Sequence, residues 1–136
     1  MKLIGVDYGR RRIGLAVTDE NGEFIRSLPT LLRKSNAPYL KELVAIIQQE
    51  NPSWIIIGLP LDANDKDTAM SLEIRAFADK LGRMASLPVY FVDESLTSIR
   101  AGDIIRHHKK KHRQNKENTD RIAACLILDA FQKEKR

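Results

Sequence analysis

The chain has 136 residues, 43% of them hydrophobic and 30% charged, with a net charge of +5 and a pI near 9.5. That length suits one domain with a real core and is too short for two full-sized ones, and the composition excludes a disordered chain. The positive balance favours a polyanionic partner, while the single cysteine, Cys125, excludes an intrachain disulfide and points to a reducing cytoplasm. In chain order, residues 3–6 and 13–17 are apolar, β-branched runs separated by Gly9 and Arg10-Arg11-Arg12, which predicts two strands with a short connection. Asn21-Gly22 marks a turn, and residues 23–28 form a third strand. Strands joined this tightly are antiparallel, because a parallel crossover needs a dozen or more residues. Asn36-Ala37-Pro38 opens a helix with Leu40, Leu43, Val44 and Ile47 on its apolar face, and Asn51-Pro52 stops it.

Residues 54–57 follow as an uninterrupted apolar strand, the pattern of one buried on both faces. After a polar loop over 58–68, a helix runs from about Ala69 to Met84, carrying Leu72, Ile74, Phe77, Ala78 and Leu81. Residues 89–92 read as another buried strand, 97–106 as a short helix, 106–118 as polar and basic, and 119–133 as a last helix. The longest apolar stretch, 54–61, is far too short to span a bilayer, and the N-terminus carries no signal-peptide pattern, so no membrane partner is expected. Without repeats or linkers, residues 1–136 make a single domain. Three antiparallel strands followed by alternating helices and strands predict an α/β fold. Right-handed crossovers add two parallel strands to the first three, giving a mixed five-stranded sheet with helices on both faces. That order is the one used by ribonuclease H-like domains.

Three acids fall at the ends of these elements: Asp7 after the first strand, Glu94 after the last, and Asp120 at the head of the last helix. Carboxylates converging on one sheet edge repel unless a cation lies between them, so the arrangement points to a metal site. Each also has a plainer explanation. Asp7 can satisfy its own turn, Glu94 can be solvated, and Asp120 can cap its helix, although Asn118 and Thr119 are also available to cap it. Asp93 and Glu94 are adjacent on an extended segment and point to opposite sides, so only one can share a site with Asp7; the longer Glu94 is the expected ligand. Oxygen ligands of this kind suit Mg²⁺ or Mn²⁺, and two such ions about 4 Å apart drive phosphodiester hydrolysis in nucleases. Gly9 and Gly14 let backbone approach a phosphate or metal closely. His107, His108 and His112 lie among lysines that would repel a cation, so they make a poor metal site.

Residues 106–116 gather Lys109, Lys110, Lys111, Arg113 and Lys116 just before Asp120, and Arg10, Arg11 and Arg12 follow Asp7. Charge runs are often only solvated loops. Beside an acidic metal site, however, these cations are expected to hold the phosphates of a nucleic acid, with salt-sensitive and sequence-independent affinity. Tyr8 is the aromatic nearest the acids, suited either to base stacking or to core packing.

Four ordered blocks resemble the YqgF/RuvX family: Gly5-Val6-Asp7-Tyr8-Gly9 with Ile13-Gly14-Leu15-Ala16-Val17; Ile57-Gly58-Leu59-Pro60; Val92-Asp93-Glu94-Ser95-Leu96-Thr97; and residues 120–128, Asp-Arg-Ile-Ala-Ala-Cys-Leu-Ile-Leu. The resemblance covers essentially the whole chain. It implies a ribonuclease H-like nuclease whose catalytic, metal-binding triad is Asp7, Glu94 and Asp120, with Gly58-Leu59-Pro60 shaping the adjacent loop. Family members are described as Holliday junction resolvases and as nucleases processing the 5′ end of precursor 16S ribosomal RNA. Structured RNA is therefore the expected substrate and branched DNA the alternative, with a non-catalytic RNA-binding module as a further reading. A resolvase must cut two strands symmetrically and is expected to be a homodimer; an RNA nuclease can be a monomer. Two positions depart from the family pattern. Ser95 stands where many members carry Arg, so a phosphate contact is not expected from that side chain, and Thr119 replaces a usual apolar residue. The Asp7-x-Gly9 turn also resembles the first phosphate loop of actin-like ATPases and sugar kinases, but the chain is too short for the second domain those proteins need.

Overall fold

A computed structural model of the chain describes residues 1–34, 38–93 and 116–134, with side chains of the last segment described from Arg121 onward. Five strands, β1 (Leu3–Tyr8), β2 (Arg12–Thr18), β3 (Ile25–Leu32), β4 (Trp54–Leu59) and β5 (Val89–Asp93), form one sheet in the order β3-β2-β1-β4-β5. β2 pairs antiparallel with both β1 and β3, while β4 and β5 run parallel to β1. This is the expected mixed sheet. Among the described residues the helices are α1 (Tyr39–Glu50), α2 (Ala69–Ala85) and α3 (Lys116–Glu134).

Strand alternation sorts the core into two layers. Ile4, Val6, Tyr8, Ile13, Leu15, Ile55 and Ile57 face α1 and α2, together with Leu43, Ile47, Ile74 and Phe77. Leu3, Ala16, Ile56 and Val92 face α3, where Ala124, Ile127, Leu128 and Phe131 cover them. Ile55, Ile56 and Ile57 are fully buried, which explains the unbroken apolar run: each face of β4 carries a helix layer. At roughly 2 kcal/mol for each fully buried aliphatic side chain, these layers dominate the stabilisation of the sheet.

Several boundaries differ from the sequence expectation. The Asp19 carboxylate accepts hydrogen bonds from the backbone N–H groups of Glu23 (2.9 Å) and Phe24 (3.4 Å), so the turn extends and β3 begins at Ile25 rather than at 23. β3 also continues past Pro29 to Leu32, which is tolerated because it is an edge strand whose register with β2 shifts between Ile13 and Leu15. Leu72 is exposed rather than part of the apolar face of α2. That helix starts with a reciprocal capping box between Thr68 and Ser71 and ends at Ser86 in the left-handed region. The short helix expected over 97–106 and the cap Asn36 lie outside the described residues.

Candidate active site

Asp7 lies within β1, half-buried, and not after its end. Counting outward from Leu3, whose side chain packs in the α3 layer, residues 3, 5 and 7 share one face, so Asp7 belongs to the face that carries α3. Its antiparallel partner on β2 is Gly14. On the other side, β1 and β4 pair Val6 with Ile57, which makes Gly58 the next neighbour, and Gly58 in turn pairs with Val92 of β5. Asp7 is therefore flanked by a glycine on each adjacent strand. Neither glycine puts a side chain beside Asp7, and both are themselves buried.

The path of α3 follows from three contacts. Phe131 packs edge-on against Trp54 at 5.9 Å, in the layer that also holds Leu3. A Cβ on Gly5 would lie 2.7 Å from Leu128 Cγ and 2.9 Å from the Ala124 carbonyl oxygen, so only glycine admits the helix this close. The helix thus runs antiparallel to β1, from the Asp7 end toward the Leu3 end. Asp7 lies two residues beyond Gly5, about 7 Å along the strand. Asp120 lies four residues before Ala124, about 6 Å along the helix and on the same helical stripe. Strand and helix therefore carry the two aspartate positions to the same end of the same layer. Asp120 is not the helix head expected from sequence: the described helix begins four residues earlier, at Lys116. Asn118 and Thr119 likewise lie inside it, so the capping explanation for these three residues does not hold. Their polarity conceals the first turn from any search for apolar periodicity.

On β5, Val92 packs in the α3 layer, whereas Val89 and Phe91 pack toward α1 and α2. Asp93 follows that second set, on the opposite face from Asp7. Glu94, Lys109, Lys110, Lys111 and Arg113 lie outside the described residues, as do the side chains of Lys116 and Asp120. Among the described residues no three His, Cys, Asp or Glu side chains form a metal-binding group. What is described nonetheless fits a hard cation: a half-buried carboxylate, not a thiol or imidazole, flanked by glycine backbone.

The three arginines after Asp7 separate. Arg12 alternates with Gly14 and Ala16 and so takes the Asp7 face. Arg10 reaches the opposite side, where it pairs with Glu73 of α2 at 3.1 Å. Arg11 is exposed, and its carbonyl accepts from the Arg33 N–H at 2.8 Å. Tyr8 is a core residue, packed on Phe77 at 4.6 Å with its hydroxyl donating to Glu73 at 2.5 Å, and it does not serve as a stacking surface on the Asp7 face. Burial and the neighbouring Glu73 carboxylate push the Tyr8 hydroxyl above its ordinary pKa. The same hydroxyl, then Arg10, holds Glu73 below the usual glutamate value. Arg33 completes this cluster by stacking on Tyr39 (4.1 Å) and Tyr8 (5.1 Å) and donating to the Gly9 carbonyl at 2.9 Å. Glu73 and Arg33 escaped the sequence reading, because a partner 65 residues away leaves no local signal.

Fold and family together define a nuclease, a hydrolase of phosphodiester bonds built on the ribonuclease H-like sheet. Residues 1–134 match the family described as "RuvX: Holliday junction resolvase", and the chain belongs to that family. A relative from Oleidesulfovibrio alaskensis, named "Putative pre-16S rRNA nuclease", is 37% identical over 96% of this chain and 91% of its own length. Another of the same name, from Koribacter versatilis, is 38% identical over 96% of this chain and 85% of its own. Among solved structures, that of "T. thermophilus RuvC in complex with Holliday junction substrate" superposes with a TM-score of 0.63 at 14% identity, covering 99% of this chain and 96% of the other. That likeness concerns the fold.

Proposed function

We propose that this chain is a Mg²⁺- or Mn²⁺-dependent nuclease that processes the 5′ end of precursor 16S ribosomal RNA in the cytoplasm, with Asp7, Glu94 and Asp120 as its catalytic and metal-binding residues. The observation that carries the site is the seating of α3 on Gly5, which brings the Asp7 and Asp120 positions to one end of one layer. Asp93 faces away, which leaves Glu94, the next residue, as the acid from this strand end. The names of the curated relatives support the RNA substrate. Among the described residues no helix is long and apolar enough to cross a membrane.

When bound, the cation supplies Lewis-acid activation of water and stabilisation of the leaving oxygen. The chain's own residues prepare the ground for it. The three carboxylates hold the ion, and their mutual repulsion keeps them poised for a cation and not for one another. Gly14 and Gly58 put no side chain of their own beside Asp7. Arg12, on that face, attracts the phosphate, while Arg11, Lys109, Lys110, Lys111, Arg113 and Lys116 extend the contact along the strand. Arg10, paired with Glu73 on the other face, adds little to that contact.

The test incubates purified wild-type and Asp7→Asn protein with a precursor 16S RNA 5′ end and with a four-way DNA junction, each with Mn²⁺ or EDTA. RNA cutting by wild type with Mn²⁺ alone, lost in Asp7→Asn, is the expected outcome. Junction cutting without RNA cutting makes the chain a Holliday junction resolvase, as the family description has it. Metal-independent binding with no cleavage would make it an RNA-binding module. Equal cutting by wild type and variant would exclude Asp7.

A further inference from the structure

The flank of α3 is not the polar face that a surface helix ordinarily shows. Between Asp120 and Asp129 it reads Arg-Ile-Ala-Ala-Cys-Leu-Ile-Leu, with Arg121 the only charged residue. Ala123, Ala124, Ile127 and Leu128 are buried on the sheet, which leaves Ile122, Cys125 and Leu126 half-buried on the flank. Beside them runs a groove of about 290 Å³, lined by these three residues, by Arg121 at the Asp120 end of the helix and by Ser27 of β3. Ser27 pairs with Ala16 and Ala16 with Gly5, so the groove lies on the Asp7 face, in the row of Gly5. Two strand spacings across the sheet and two residues along it separate Ser27 from Asp7 by about 12 Å. That distance suits a nucleotide next to the one cut and is clear of the reacting phosphate.

The chemistry of the groove selects its occupant. Ile122 and Leu126 give aliphatic walls, and burial pushes the Cys125 thiol up, so it too is uncharged at neutral pH. The charge at the groove is the Arg121 guanidinium, which complements an anion. A flat apolar ring joined to a phosphate meets both requirements. The volume is at the low end for small-ligand sites and takes one ring system, not the helix of a protein partner. From this we infer that the groove between β3 and α3 is a nucleobase subsite, seating the base of a nucleotide that flanks the scissile phosphate, with the Arg121 charge beside that nucleotide's own phosphate. A base can enter only when it is unpaired and splayed from its neighbours, so the substrate is single-stranded next to the cut. The inference rests on the nuclease reading above and adds a base contact to the phosphate contacts proposed there.

The experiment uses Cys125 as its reporter, since it is the only thiol in the chain. Its alkylation by N-ethylmaleimide is timed in EDTA, for the free protein and with a saturating single-stranded RNA from the precursor 16S 5′ end, saturation being read by fluorescence anisotropy. A second oligonucleotide of the same length is abasic, keeping the phosphates and losing the bases. At saturation the RNA should slow alkylation by at least about tenfold and the abasic strand by less than about twofold, because the base is what fills the groove. Ser27→Tyr places a ring in the groove from an exposed position on an edge strand, where an aromatic side chain suits the backbone. It should raise KM for the RNA about fivefold, the low end for one base contact, and leave kcat within about a factor of two, since that contact is the same before and during reaction. Full-rate alkylation in the saturated complex, or an unchanged KM in Ser27→Tyr, would overturn the subsite, while loss of cleavage in Asp7→Asn keeps the nuclease reading. Equal protection by the abasic strand would overturn it as well, the groove then meeting only sugar and phosphate. So would protection without RNA that grows with protein concentration, which would make this face a contact between two copies of the chain. Equal cutting by wild type and Asp7→Asn would overturn the metal site and the subsite's role beside it, a result read independently of Cys125.

Discussion

Gly5→Ala is a substitution of one methyl group at the point where strand and helix meet. The added Cβ would sit 2.7 Å from Leu128 Cγ and 2.9 Å from the Ala124 carbonyl oxygen. Carbon contacts settle at about 3.5–4.0 Å, so α3 must retreat from β1 by about 1 Å. Leu128 can change rotamer, but the carbonyl moves only with the helix. Overpacking of this kind costs about 1–3 kcal/mol, offset by about 0.4–1 kcal/mol from the less flexible unfolded chain. A net loss of about 1–2 kcal/mol is expected, or about 3–10 °C in melting temperature for a domain of this size. Urea denaturation followed by circular dichroism measures it, with an unchanged dependence on urea. The variant remains folded in the assay, yet its Mn²⁺-dependent cleavage should fall by about a hundredfold, because Asp120 travels with the displaced helix. Wild-type cleavage in a protein destabilised by that amount would refute the idea that α3 seating sets the distance between the two aspartates.

Gly14→Leu forces a bulky side chain into a buried position beside Asp7 and should lower cleavage more than about tenfold, measured on protein that far-ultraviolet circular dichroism shows to be folded. Arg12→Ala should reduce the slope of log binding constant against log salt by about 0.9 for duplex DNA, or about 0.7 for a single strand, the share of one phosphate contact. Arg10→Ala should leave that slope nearly unchanged, because the Arg10 charge is paired with Glu73; equal effects of the two would contradict their division between faces. Glu73 is held below its ordinary pKa, first by the Tyr8 hydroxyl and then by Arg10. Its stabilisation is therefore fully present above the ordinary value of about 4.3 and is lost as pH falls through the lower folded value. Glu73→Gln should accordingly lose less stability than wild type in acid denaturation below about pH 4, and an identical acid limb would contradict the shift.

Much of this architecture was legible because each layer leaves a local mark. The unbroken Ile55-Ile56-Ile57 run announced a doubly covered strand, and the close connections after Asp7 and Asp19 announced antiparallel pairing. What was hidden depends on contacts between distant residues or on polar segments without periodicity. β3 begins late because a single Asp19 carboxylate holds two N–H groups, and Pro29 disguises its continuation. The first turn of α3 is polar throughout and reads as loop, which made Asp120 look like a cap. Asp7 was legible as an acid near the end of the first strand, one residue short of where β1 stops, whereas its glycine flanks appear only once β1 is placed between β2 and β4. The Arg10-Arg11-Arg12 run looked like one basic patch; the pleat and a glutamate far along the chain divide it.

The central claim is that Asp7, Glu94 and Asp120 bind the cation as one site. Isothermal titration of Mn²⁺ into wild type, Asp7→Asn, Glu94→Gln and Asp120→Asn tests it without reference to any substrate. Each single substitution should weaken binding by at least about tenfold, and combining two should add far less than the sum of the separate losses, as for groups acting as a unit. Wild-type Mn²⁺ affinity in Asp120→Asn or in Glu94→Gln would contradict the shared site.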